Sequence, residues 1–200
     1  MDDRKQRVRA EYDELSAGYE ERWSSYVARS VDETRQRAHV REGERVLDVG
    51  CGTGRLLGSL RPAPAVGVDL SIGMLAVAPP FVSYACADAE ALPFVSESFD
   101  VVVSSSSLHF WPHPDRALLE MHRVLVHGGR VVITDWCDDF LACQIVDAVL
   151  RWRDPASQRT IGRERCAQLL ETAGFTNVAV ERYRISWLWG LMTATGSKRR

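Results

Sequence analysis

The chain has 200 residues, of which 46% are hydrophobic and 26% charged, with a formal net charge of −2; that balance excludes a disordered or fibrous chain and fits one domain with a sizeable core. Near-neutrality gives no ground for a nucleic-acid partner, since the only basic cluster is Lys198-Arg199-Arg200 at the tail. No apolar run approaches the ~20 residues that span a bilayer, the charged start Met1-Asp2-Asp3-Arg4-Lys5 lacks the apolar core of a signal peptide, and the five scattered cysteines, Cys51, Cys86, Cys137, Cys143 and Cys166, give neither a disulfide framework nor a zinc spacing, so a cytoplasmic chain without a metal is expected.

In chain order, residues 3–18 place Val8, Tyr12, Leu15 and Tyr19 at helical spacing, with Gly18 as a stop. A second helix is expected from about 20 to 40, with Trp23, Tyr26, Val27 and Val31 on one face. Val46–Val49 is a short apolar run of the kind that forms a strand buried on both faces. Glycines 50, 52 and 54 follow, then a helical pattern to about Leu60. A strand that breaks into glycines and then a helix is a nucleotide-binding turn: the missing Cβ atoms let the backbone approach a ligand, and the helix start offers free N–H groups.

Residues 61–64 read as a loop and Ala65–Asp69 as the next strand, ending in a carboxylate 19 residues after Gly50. An acid at that distance is placed to hold both ribose hydroxyls. Ser71 is an N-cap for a helix through Ile72, Met74 and Leu75, stopped by Pro79-Pro80. Strands are expected at 81–86 and 98–103, the second too apolar for a sheet edge. Between them Asp88 and Ala89 stand in a loop, where an Asp is ordinarily a turn residue. After the second, four serines (104–107) lead into Leu108-His109-Phe110-Trp111. A helix from 114 to 126 is expected to be closed by Gly128-Gly129, followed by a strand over 130–135. Helices over 138–152 and 163–172, the latter ended by Gly174, precede two strand-like runs at 178–186 and 187–195, which suggest an antiparallel pair.

The glycine spacing decides between nucleotides. A dinucleotide turn is G-x-G-x-x-G, whereas here it is G-x-G-x-G, with Arg55 at the third-glycine position and Asp48 two residues before Gly50. An acid there repels a pyrophosphate and suits a ligand with an ammonium group. With these residues the sequence resembles the class I S-adenosylmethionine-dependent methyltransferases, in particular the small-molecule branch that includes the ubiquinone- and menaquinone-type enzymes. The resemblance is strongest over 45–135 and weak in the substrate-specific parts.

It implies an α/β, Rossmann-like seven-stranded sheet of order 3-2-1-4-5-7-6, last strand antiparallel, with helices on both faces. It also implies one domain over 1–200: an N-terminal helical lid (1–40), a cofactor-binding core (41–135) and a substrate-side part (136–200). S-adenosylmethionine, leaving as S-adenosylhomocysteine, would be held by Asp48, Gly50, Cys51 and Gly52 at the turn, Asp69 and Leu70 at the ribose, Met74 against the adenine, Asp88 and Ala89 at the adenine edge, and Ser104. Tyr12-Asp13-Glu14-Leu15-Ser16-Ala17-Gly18-Tyr19 matches the family's lid segment, which makes Tyr12 and Tyr19 candidates for the methionine end; the plain alternative is two packed helices. Met74 serves equally as core, and Trp23, Tyr26, Trp111 and Trp136 line either an apolar substrate pocket or ordinary core.

The implied reaction is transfer of an activated methyl group to a small-molecule acceptor, in which alignment supplies ~7–11 kcal/mol. His109 and Asp135 are the candidate bases for an acceptor that must lose a proton, although a lone His is equally a structural residue. Arsenite methyltransferases, which resemble this family, bind arsenic through cysteine thiolates, but the spacings of Cys137, Cys143 and Cys166 match no metal motif. The rivals are an NAD-dependent oxidoreductase and a methyltransferase-like fold that binds the cofactor without turnover. The acceptor, the atom methylated and the oligomeric state are open at this stage.

Overall fold

The computed structural model describes residues 2–60, 64–141, 143–145, 148, 160–186 and 190–200. Seven strands form one sheet: β1 (Val46–Val49), β2 (Ala65–Asp69), β3 (Ser83–Cys86), β4 (Phe99–Ser105), β5 (Leu125–Trp136), β6 (Thr176–Arg184) and β7 (Gly190–Ser197), in the order 3-2-1-4-5-7-6. β1 to β5 run parallel, and β7 lies antiparallel to both β5 and β6. The expected topology is therefore the observed one.

The central strands are apolar on both faces because both faces are covered. Leu47 and Val49 of β1 face one core with Val102, Val131 and Ile133. That core is closed by α5 (Pro114–Val124), through Leu118 and Met121, and by α6 (Arg163–Thr172), through Cys166, Leu169 and Leu170. Val46, Val101, Val103 and Val132 face the other side, against Leu56 and Leu57 of α3 (Arg55–Ser59) and Ala38 of α2 (Tyr19–Ala38). Full burial of one such side chain is worth ~1.5–3 kcal/mol. Arg130 of β5 fastens the end of α2, donating to the carbonyls of Ala38 (2.7 Å) and His39 (2.9 Å) while its guanidinium pairs with Glu44 (2.7 Å).

The remaining helices are short or polar. α4 (Ile72–Ala76) is capped as expected by Ser71, whose Oγ accepts from the Met74 N–H at 3.0 Å. α1 (Asp3–Leu15) is mostly charged, and polar contacts dock it. Asp13 accepts from Ser71 Oγ (2.6 Å) and from the Gly73 N–H (2.8 Å), and those donors hold its carboxyl below the usual carboxylate range. Gly73 permits this approach, because a Cβ there would stand 2.8 Å from the Asp13 backbone.

One expectation fails. α5 ends at Val124, and Gly128-Gly129 do not cap it but lie inside β5. Phe99 pairs with Leu125 and Val101 with Arg130, so the strand bulges across the glycines. Gly128 has φ +79, and a Cβ on Gly129 would meet the Val126 carbonyl at 2.9 Å. The helix expected over 138–152 falls largely outside the described residues; 141, 143–145 and 148 are helical. The loop at 61–63 and the run at 187–189 also fall outside them.

Candidate functional site

A cavity opens where α1 and α2 cover the C-terminal ends of β1, β2 and β4, the edge at which open α/β sheets bind ligands. Its floor is the turn after β1. Gly50 there has φ +74, and a Cβ would strike the Ser107 hydroxyl, so glycine is required on both counts. The turn is held from β2: Asp69 accepts from the Gly52 N–H and the Ser71 N–H, both at 2.8 Å. Burial raises the Asp69 carboxyl even against those donors.

Asp48 lies beneath the same turn. It is 1% exposed, and its Oδ1 is buried without a hydrogen-bond partner. Burial, with the charge of Asp69 nearby, pushes its carboxyl up to about 8. An orphaned buried carboxyl oxygen is a costly feature; Asp48 itself does not line the cavity, whereas Gly50, Cys51 and Gly52 of the turn above it do. Cys51, with its thiol raised by burial, is a packed side chain and not a thiolate.

Of the residues expected to hold a cofactor, Tyr12, Tyr19, Gly50, Cys51, Gly52, Asp69, Leu70, Met74, Asp88 and Ala89 all line this cavity. Met74 is also core, being 1% exposed. Ser104 is turned away: its hydroxyl bonds Ser107 Oγ at 2.8 Å, while Ser107 donates to the Val49 carbonyl at 3.1 Å. Ser105, Ser106 and Ser107 stand on the wall in its place. Tyr12 meets Phe110 edge-on at 5.2 Å and Tyr19 at 5.9 Å, giving the cavity an aromatic side.

His109 and Asp135 come together behind that side. Nδ1 of His109 lies 2.6 Å from Asp135 Oδ1, and the His109 N–H donates to Oδ2 at 3.2 Å. The imidazole stacks on Trp136 at 4.9 Å and contacts the Phe110 ring at 4.0 Å. Neither His109 nor Asp135 is itself part of the cavity wall, and of the four aromatics named from sequence only Trp111 is.

Sequence reasoning missed three residues. Lys5 of α1 is buried against Asp88 and Glu90, 2.7 Å from each. Glu20, at the start of α2, accepts from Thr53 Oγ1 at 2.7 Å and from Arg55 at 3.4 Å. Asp13 lay within the quoted lid segment, but its partner is 60 residues away. Isolated charges in a charged helix carry no local signal of such partners. Among the described residues no group of His, Cys, Asp or Glu can hold a metal ion, and no helix is long and apolar enough to cross a membrane.

Comparison with known proteins agrees with this geometry. Residues 47–133 match a family model described as a methyltransferase domain. A demethylmenaquinone methyltransferase of Renibacterium salmoninarum is 37% identical over 129 residues, covering 62% of this chain and 52% of that protein. A phthiotriol/phenolphthiotriol dimycocerosates methyltransferase of Mycobacterium ulcerans is 40% identical over 102 residues, covering 46% and 38%. The chain thus spans about half the length or less of these curated relatives. A S-adenosylmethionine-dependent methyltransferase of Thermotoga maritima superposes with a TM-score of 0.76 at 24% identity, covering 94% of this chain and 98% of that one. An N-methyltransferase of Haemonchus contortus, solved with S-adenosylhomocysteine, superposes with a TM-score of 0.70 at 21% identity, covering 85% and 52%. These likenesses establish the fold.

Proposed function

We propose that this chain, which carries a class I methyltransferase domain, binds S-adenosylmethionine in the cavity and methylates a small-molecule acceptor by in-line displacement. The observation that carries the reading is the buried, unpartnered Asp48 under the Gly50–Gly54 turn. The ammonium of an amino-acid ligand brought to the turn would pair with the ionised form of this carboxyl, whereas a pyrophosphate brings no cation to it. Against the NAD reading, Arg55 stands on the cavity wall where a third glycine would be.

In this assignment the cofactor supplies a methyl group already activated on a sulfonium. Asp69 accepts from the ribose hydroxyls while keeping its two backbone donors. Asp88 and Ala89 serve the adenine edge, with Lys5 holding Asp88 in place. Tyr12 and Tyr19 close over the methionine end and exclude water, so that 1–40 acts as the lid, 41–135 as the cofactor core and 136–200 as the acceptor side. Asp135 orients His109, and His109 removes the acceptor's proton. A small, organic acceptor is favoured by the aromatic wall and by the net charge of −2, which does not attract nucleic acid. The named acceptors of the relatives are of that kind.

The test is product formation from S-adenosylmethionine with a panel of phenolic, quinol, amine and thiol acceptors, read by mass spectrometry. One acceptor class gains a methyl group. His109→Ala lowers kcat for a proton-bearing acceptor by about 10²–10⁴-fold and leaves S-adenosylhomocysteine affinity within twofold. No product from any acceptor, with the cofactor bound, would establish a binding protein without turnover.

A further inference from the structure

The serines after β4 do not behave alike. Ser104 is turned away from the cavity, and Ser107, which lines it, donates its hydroxyl to the Val49 carbonyl. Ser106 stands on the cavity wall with φ +61, a left-handed conformation that serine seldom adopts and that concentrates at functional sites. Its N–H donates to the Thr134 carbonyl at 2.8 Å, which pins it at the end of β4 beside β5. Its Oγ lies 2.7 Å from the Tyr26 hydroxyl, and that hydroxyl lies 2.6 Å from Trp136 Nε1. An indole N–H only donates, so the Tyr26 oxygen accepts from Trp136. Tyr26 is buried, which strengthens both bonds.

The place of this chain of groups in the sheet separates it from the cofactor residues. Those sit at the ends of β1, β2 and β3, whereas Ser106 and Trp136 sit at the ends of β4 and β5, on the side of His109 and Asp135. Trp136 stacks on the His109 ring, so the candidate base packs directly against the hydrogen-bonded chain.

We propose that Ser106 positions the methyl acceptor: Trp136 donates to Tyr26, Tyr26 to Ser106, and Ser106 to a ring hydroxyl or carbonyl oxygen of an aromatic acceptor next to the atom methylated. This rests on the methyltransferase reading. It makes Ser106 a specificity residue for oxygen-bearing rings, with Tyr26 as the residue that orients it.

The test uses the full chain saturated with S-adenosylhomocysteine, with 1-naphthol and naphthalene as probes followed by ligand-observed NMR. Wild type binds 1-naphthol about tenfold or more tightly than naphthalene, the worth of one well-placed hydrogen bond. Ser106→Gly, which suits the left-handed backbone and so preserves folding, erases that preference. Tyr26→Phe reduces it. Both variants keep S-adenosylhomocysteine affinity within twofold. Equal binding of the two probes to wild type, or an undiminished preference in Ser106→Gly, would overturn the proposal. So would a tenfold loss of S-adenosylhomocysteine affinity in Ser106→Gly, which would assign the hydroxyl to the cofactor. Failure of wild type to bind S-adenosylhomocysteine at all is a separate result, and it would remove the underlying reading.

Discussion

Asp69→Ala is expected to weaken S-adenosylhomocysteine binding by about 10²-fold or more and to lower the melting temperature. Two effects combine. The carboxylate that would hold the ribose is lost, and hydrogen bonds to charged groups are worth ~1.5–3 kcal/mol each. The same carboxylate fixes the turn after β1 through the Gly52 and Ser71 amides at 2.8 Å, so those two donors lose their partner. Asp69→Asn separates the effects: an amide oxygen can still accept from one of the two amides, so it recovers part of the stability and little of the affinity. Calorimetric titration and a thermal melt on the same samples read both quantities. Loss of stability with unchanged affinity would remove Asp69 from the ligand site.

Asp48→Asn is expected to move affinity and stability in opposite directions. In the free protein burial and Asp69 push the Asp48 carboxyl up to about 8, against an ordinary value of 3.8. Near neutral pH it is therefore largely protonated until a cation arrives. A ligand ammonium needs the charged form, so binding releases a proton and affinity rises with pH, by up to about tenfold per unit, before levelling above pH 8. The sign for folding is the reverse. The folded state holds the proton more tightly than the unfolded chain, so the stability linked to Asp48 is fully present below pH 4 and is lost as pH rises through 8. Asp48→Asn removes that loss. It is expected to stabilise the free protein at pH 8 by ~1–3 kcal/mol, to abolish the pH dependence of binding between 6 and 8, and to weaken binding at pH 8 by at least tenfold. Urea melts and calorimetry across that range check it. A variant that binds like wild type at pH 8 would show that no cation meets Asp48.

The parts of this molecule legible in the sequence are those written in local pattern. β1, β2, the Ser71 cap, α6 with its Gly174 stop and the apolar central strand β4 follow from periodicity and caps, and the strand order follows from the resemblance carried by Asp48, the three glycines and Asp69. Gly128-Gly129 misled because a helix stop and a strand bulge use the same residue type, and only the pairing of β5 with β4 distinguishes them. Ser104 lies behind the wall that Ser105, Ser106 and Ser107 form, and four identical residues do not say in sequence where the strand ends or which hydroxyls face the ligand. Lys5, Asp13 and Glu20 were illegible as site residues for a different reason. Their partners lie 83, 58 and 33 residues away, and one charge in a charged helix looks like any other until the chain folds.

The central claim is that the cavity under α1 is built for the amino-acid-bearing cofactor and not for a dinucleotide. Calorimetric titration of the wild-type chain at pH 8 with S-adenosylhomocysteine, and separately with NADH, tests it most directly. Micromolar binding of the first and none of the second is the predicted result. NADH binding with no response to S-adenosylhomocysteine would contradict the account and restore the oxidoreductase reading.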